Sequence, residues 1–348
     1  MNYKLTKAGR LIFTLVPLCA FFLALSFIFL PGRAFAPAPA ATDSFELPGV
    51  TDPVPSPAPA ATDGADEETS EPPEGDDRVT VQMEPSDIHG GSLILVNHEH
   101  HYEIPDDSGL VAVVDVKTSS YRVSNKNIPL SVDIIERLND MMDAFYAETG
   151  AANVTVISGF RDYDHQKRIL DERIALVGRE EASRWVSEPG HSEHHTGLAI
   201  DFGIYENGIN ATFRAKGKYA WLEQNSYKYG FIRRYDDAKS DITKIAYEPW
   251  HYRYVGEPHA YFIYKNDWCF EEYVGFIMKH TADDSYRDVY NDVKYEIYYT
   301  RETEITVPKD AEYWISGNNI GGFIVTVEAE NSAPRADANP DDEKQHIP

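Results

Sequence analysis

EPGHSEHHTGLAIDFG, residues 188–203, crowds His191, His194 and His195 into a polar loop and then, past Gly197, enters an apolar run that carries Asp201. With Thr196-Gly197 between them, a histidine at the end of a loop and an aspartate on the following strand can converge on one ion. Further on, EPWHYRYVG (248–256) sets Glu248 three residues before His251. A borderline ion such as Zn²⁺ takes imidazole nitrogen and carboxylate oxygen, and a catalytic site keeps a position open for water. His194, Asp201 and His251 supply three ligands of that kind, and Glu248 is left as a base for the proton of such a water. Arg161, in the SGFRD turn (158–162) after a strand, can face the developing oxyanion of a tetrahedral intermediate.

Outward from these motifs, helix and strand patterns alternate. SLILVN (92–97), GLVAVV (109–114), VTVIS (154–158) and LAIDFGI (198–204) read as strands, and FIRRY and KIAYEPWHYRYVG as extended structure. PLSVDIIERLNDMMDAFYAETG (129–150) places Ile134, Leu138, Met141, Met142 and Phe145 on one helical face, with Ser131 as N-cap. Further helices are expected over 162–177, near 180–186, and over 219–230, where Gly230 ends the last. Short strands in succession, interrupted by helices, give an α+β fold with a mainly antiparallel sheet. KYEIYYT, TEITVP, EYWISG and GGFIVTVE (294–328) add three or four short strands, a small β extension with a turn at Asn318, Asn319, Gly321 and Gly322. Its role is open between a wall-binding patch and a structural extension.

Both ends of the chain have a different character. Lys4, Lys7 and Arg10 precede LIFTLVPLCAFFLALSFIFL (11–30), which has no charge and is long enough to cross a bilayer as a helix. The basic flank orients it with the N-terminus cytoplasmic and the body outside. Ala34-Phe35-Ala36 also resembles a signal-peptidase site, but Pro37 would follow the cut directly and the apolar run exceeds a usual signal core, so a retained anchor is favoured. After it comes a segment of Pro, Ala, Thr, Asp and Glu that cannot offset its own ordering entropy and is expected as a disordered tether. The net charge of −25 argues against nucleic acid or anionic lipid as partner. Of the two cysteines, Cys19 lies in the apolar run and Cys269 in the body, so no intrachain disulfide is expected. The expected organisation is a flank and anchor (1–31), a linker (32–89), a main domain (90–280), the β extension (281–328) and an acidic disordered tail (329–348).

The conjunction is more specific than its parts: SGFR, then SxHxxGxAxD (Ser192, His194, Gly197, Ala199, Asp201), then ExxH (Glu248, His251). In it the chain resembles the VanY-type D-alanyl-D-alanine carboxypeptidases, zinc peptidases of the group that also holds lysostaphin-type enzymes and the hedgehog signalling domain. The likeness covers about residues 90–262 and includes LVN (95–97) and YKYGFIRRY (227–235). It implies a hedgehog/D,D-peptidase-like fold with His194, Asp201 and His251 as zinc ligands, Glu248 as catalytic base and Arg161 as transition-state stabiliser. Together with the anchored, exported body read above, it points to a membrane-held hydrolase that trims the terminal D-Ala from peptidoglycan stem peptides ending in D-Ala-D-Ala, with no protein partner evident. Alternatives on the same scaffold are an L,D-carboxypeptidase, a wall endopeptidase or a non-catalytic metal-bearing module, and the presence of Glu248 speaks against the last.

Beside these, Ser192 is a candidate donor to the substrate carboxylate and Gln166 a candidate cleft residue. His195 is expected as a neighbour of the site and not a ligand, and His191 as either a substrate contact or a bystander. His98, His100 and His101 in NHEHHY are read as a solvated edge, and Trp250, Tyr252, Arg253 and Tyr254 as core or cleft wall.

Overall fold

Asp201 and His251 sit directly opposite each other on two antiparallel strands at the middle of the main sheet, and the rest of the fold serves to hold that pair. The structure, a computed structural model, describes residues 78–103 and 109–329. In chain order its strands are β1 (Arg78–Gln82), β2 (Leu110–Ala112), β3 (Arg122–Val123), β4 (Pro129–Ser131), β5 (Val154–Ser158), β6 (Ala199–Glu206) and β7 (Ile209–Thr212). Then follow β8 (Phe231–Tyr235), β9 (Glu248–Tyr254), β10 (Tyr286–Tyr290), β11 (Val293–Thr300), β12 (Glu304–Pro308), β13 (Tyr313–Gly317) and β14 (Phe323–Glu328). The main sheet runs β3-β5-β6-β9-β8 with β7 paired to β6. All its pairings are antiparallel except β3 with β5. The fold is the expected α+β arrangement with a mainly antiparallel sheet.

Periodicity explains the main helix. Ser131 Oγ accepts from the Asp133 amide, and the helix Ile135–Thr149 then buries Ile135, Leu138, Met141, Met142 and Phe145 against Val154, Val156, Ile200 and Phe202 of the sheet. Each such side chain contributes roughly 1.5–3 kcal/mol through apolar area removed from water. Asp162 Oδ1 accepts from the His165 amide and starts the helix Tyr163–Val177.

Several expected boundaries move. Residues 92–97, read as a strand, pair with no strand, although Leu93, Ile94, Leu95 and Val96 are buried. Their backbone groups are met by side chains and a turn instead: Ser316 Oγ accepts from the Leu93 amide, and Arg253 donates to the Ser92 and Ile94 carbonyls. The helix expected over 219–230 breaks into Ala220–Asn225 and a 3₁₀ turn, Ser226–Tyr229. There the Asn225 side-chain Nδ2 donates to the Trp221 carbonyl and competes with the helical ladder. The helix expected near 180–186 runs over Arg179–Ser183.

At the expected linker's end, residues 78–89 form β1 and a 3₁₀ turn, Pro85–His89, and β1 pairs with β12 from the far end of the chain. The extension forms a four-stranded sheet, β10-β11-β14-β13, and Phe323, Val325 and Val327 of β14 build a small core with Ile305 and Val307 of β12 and Val79 and Val81 of β1. Tyr290, Tyr295, Ile297 and Ile324 pack with Ile232, Phe262, Phe270 and Val274 of the main domain, so the boundary expected at residue 280 is not a break in packing. Among the described residues no helix is long and apolar enough to cross a membrane. The apolar run 11–30, the linker to residue 77 and the tail from 330 lie outside the described residues.

Candidate active site

Three elements bring the ligand candidates together. The β6–β9 register sets Asp201 against His251, and a 3₁₀ turn, Glu193–Thr196, delivers His194 from the loop just before β6. His194 Nδ1 lies 2.6 Å from the Gly159 carbonyl, which can only accept, so Nδ1 carries the proton and Nε2 presents its lone pair. His251 Nε2 lies 3.3 Å from the Glu193 carboxylate and is the protonated nitrogen there, leaving Nδ1 toward Asp201 at 3.1 Å. His194 Nε2 approaches Asp201 Oδ2 at 3.2 Å, and the two imidazoles stand perpendicular with centroids 4.9 Å apart. One ligand atom from each of the three residues lies within 4.8 Å of the others. All three side chains are buried, yet His194 Nε2 and Asp201 Oδ1 have no hydrogen-bond partner. Buried polar atoms of that kind are rare unless a ligand satisfies them.

Burial and neighbouring charge split the titration of these groups. Burial, helped by the Arg161 guanidinium, lowers His194 to about 4. On His251 burial works the other way from the Asp201 and Glu193 carboxylates, which win and raise it to about 9. Asp201 is held well below the usual carboxylate range despite its burial, by His194, His251 and Arg161. Burial pushes the Glu248 carboxyl up to about 8, with Asp201 and Glu193 adding to it. Glu248 Oε2 lies 3.7 Å from His251 Nδ1, so a carboxyl of raised proton affinity borders the three ligand candidates.

Arg161 is also brought in. Its Nη2 donates to Asp201 Oδ2 at 2.7 Å, its Nε to Ser158 Oγ and its Nη1 to Gln166 Oε1, which fixes the guanidinium plane beside the cluster. Gln166, expected to line the cleft, is 1% exposed and donates its amide to the Ser187 carbonyl. It braces Arg161 from behind. Ser192 is buried at the start of the 3₁₀ turn and makes no capping bond with its side chain.

The other histidines have backbone partners. His195 Nδ1 donates to the Arg161 carbonyl and Nε2 accepts from the Gly190 amide, so neither nitrogen is free for a metal. His191 bonds the Asn97 carbonyl and stands edge-on to His101. His98, His100 and His101 do not join a metal-binding cluster among the described residues. Tyr252 and Arg253 are fully buried, while Trp250 and Tyr254 pack at the edge of the core.

Sequence reading missed Glu193, the residue between Ser192 and His194. It is 1% exposed, with its carboxylate on Arg234 Nε (2.8 Å), Arg253 Nη1 (3.1 Å) and His251 Nε2. Those cations hold it well below the usual range although burial opposes them. Arg234 in turn grips Glu271 with both terminal nitrogens, and Glu271 accepts from Asn97. Partners this far apart along the chain leave no local pattern. The only signal available was a glutamate set among histidines. Tyr235, whose ring lies 4.8 Å from that of His251, was likewise legible only as part of a strand.

A His–Asp–His cluster on a mixed sheet, with a proton-hungry carboxylate and a fixed guanidinium beside it, defines a metallopeptidase-like hydrolase centre. Residues 127–257 match the family model described as VanY, D-alanyl-D-alanine carboxypeptidase. The chain is 33% identical over 247 residues to a D-alanyl-D-alanine carboxypeptidase of Enterococcus faecium, covering 69% of this chain and 76% of that protein. To one of Enterococcus faecalis it is 37% identical over 227 residues, covering 63% and 78%. Among solved structures, the vancomycin-resistance D,D-dipeptidase VanXYg, in complex with a D-Ala-D-Ala phosphinate analogue, superposes with a TM-score of 0.64 at 32% identity. The match covers 72% of this chain and 99% of that one. The chain belongs to the VanY family and is a D-alanyl-D-alanine carboxypeptidase.

Proposed function

We propose that the enzyme is zinc-dependent and removes the terminal D-alanine from peptidoglycan stem peptides on the outer side of the cell membrane. The observation that carries the metal is the pair of buried, unpartnered atoms, His194 Nε2 and Asp201 Oδ1, beside the Nδ1 of His251. Two imidazole nitrogens and one carboxylate are a donor set that suits zinc. His194 would bind through Nε2, His251 through Nδ1 and Asp201 through its carboxylate. When bound, zinc supplies an acidified water and a polarised carbonyl.

The chain's own residues supply the rest. Glu248 takes the proton of the attacking water as its oxygen bonds the scissile carbonyl carbon and hands it to the amine of D-Ala as the C–N bond breaks, a role its raised proton affinity suits. Arg161, pinned by Ser158 and Gln166, faces the oxyanion that develops on the scissile carbonyl. Glu193 keeps His251 in one tautomer and orientation. Ser192, at the loop's edge, is the proposed donor to the free carboxylate of the substrate. The substrate is supported by the relatives' activity and by the D-Ala-D-Ala analogue in VanXYg. Placement outside the membrane is supported by the uncharged run 11–30 with its basic flank.

The test is to incubate the enzyme with a pentapeptide stem and a tetrapeptide stem and identify the released amino acid by mass. D-Ala from the pentapeptide alone is expected. Release from the tetrapeptide alone would assign L,D activity, and an internal cut would assign an endopeptidase.

A further inference from the structure

The β extension has no catalytic motif, yet its β13–β14 turn reaches into the polar core. Asn318 and Asn319 are both buried. Asn318 Oδ1 accepts from the amides of Ile320, Gly321 and Gly322, which shapes the turn. Asn319 faces the other way: its amide donates to the Leu95 and His101 carbonyls, its Oδ1 pairs with His89, and its backbone N–H donates to the Ile88 carbonyl. Backbone contact is too close for a larger residue nearby, since a Cβ at Gly317 would lie 2.3 Å from the Ile88 carbonyl oxygen.

The segment held in this way runs on to the active-site loop. Tyr102 N donates to the Gly190 carbonyl, and the Asn97 carbonyl bonds His191. A Cβ at Gly190 would lie 2.3 Å from His101 Nε2, so loop and segment are in close contact. Between them opens a cavity of about 190 Å³, lined in part by Asn97, His98, His191, Lys244 and Ile245, and bounded by Tyr235, which packs on His251. Segment 95–101 is therefore one wall of the space beside the proposed metal site, and that wall has no ladder of its own to hold it.

We infer that the C-terminal sheet is a positioning element of the substrate cleft: Asn319 holds residues 95–101 as the wall against which the stem peptide lies upstream of the scissile bond. This rests on the carboxypeptidase reading of the same site. It makes the extension part of the catalytic unit and not a separate wall-binding module. The Asn318 carbonyl on the Leu95 amide, Glu271 on the Asn97 side chain and His191 on the Asn97 carbonyl also hold this wall. Asn319 adds the two side-chain bonds that fix the Leu95 and His101 carbonyls. Their loss matters because misplacement by about an ångström at a binding surface can cost up to about a hundredfold.

The test uses Asn319→Gly in the full chain, since φ at this position is +59° and glycine accepts it without strain. Zinc content and kcat should stay within about twofold, while KM for a pentapeptide stem rises about tenfold. KM for acetyl-D-Ala-D-Ala, too short to reach the wall, should change less than about twofold. Amide exchange should quicken at Leu95 and Tyr102 and not in β5. Equal losses on both substrates would make Asn319 a residue of general stability and overturn the inference. An unchanged Tyr102 amide would overturn it as well. If the wild type releases no D-Ala, the functional reading fails, and the exchange measurement still decides whether Asn319 positions the wall.

Discussion

Replacing Glu193 by alanine tests the two jobs that one buried carboxylate holds. Arg234 and Arg253 are buried cations balanced by two anions, Glu193 and Glu271. Glu193→Ala leaves two guanidiniums with Glu271 alone, and Arg253 is then paired only with the carbonyls of Ser92, Ile94 and Tyr254. Removing one partner of a buried ion pair costs about 3–5 kcal/mol. At about 2–4 °C per kcal/mol for a unit of this size, the melting temperature of the metal-free protein should fall by roughly 6–20 °C. His251 also loses the acceptor on Nε2, so zinc affinity should drop about 10–100-fold. Glu193→Gln separates the effects: a carbonyl oxygen remains for His251, so zinc affinity should fall less, while the charge imbalance and the lower melting temperature remain. Thermal denaturation without metal and zinc competition against a chelator measure the two quantities. An alanine variant that melts within about 2 °C of the wild type and binds zinc equally well would refute both roles of Glu193.

Three further outcomes are expected. Glu248→Gln should keep its zinc and lose about 10²–10⁴-fold in kcat, the share a general base supplies, and loss of zinc instead would make Glu248 a ligand. His194→Ala should lose most of its zinc by elemental analysis while His195→Ala keeps it, because both ring nitrogens of His195 are already bound to backbone. His259, buried between Tyr273 and Thr326, is lowered by burial from its ordinary 6.5 to about 3. The folded state thus refuses a proton that the unfolded chain accepts below pH 6.5, so this group's contribution to stability is whole above that pH and is lost as pH falls toward 3. His259→Gln should flatten the fall in melting temperature through that window, and an unchanged slope would show that other groups govern it.

What was legible in the sequence follows from how local each signal is. Ser131 as a cap, the apolar face from Leu138 to Phe145, and β5 at Val154–Ser158 depend on neighbours within a turn or a pleat, and the structure has them where the pattern puts them. The meeting of His194, Asp201 and His251 was legible because a motif fixes His194 and Asp201 close together and His251 beside Glu248. Residues 92–97 misled because burial and apolar composition are shared by strands and by buried irregular segments. Only the partners, Ser316, Asn318 and Arg253, tell the two apart.

By itself, then, the sequence determined the class of fold and which polar residues gather at the candidate site, since side-chain chemistry and short-range periodicity are properties of the chain alone. Tertiary structure alone decided which atoms those residues present. Gly159 and Glu193 choose the nitrogens of His194 and His251, Gln166 braces Arg161 from a position expected to line the cleft, and Asn319 bonds a carbonyl more than two hundred residues away in sequence. The physical reason is that tautomer, orientation and burial are set by whichever groups the fold brings within about 3 Å, and hydrogen bonds across such separations leave no periodic trace in the chain.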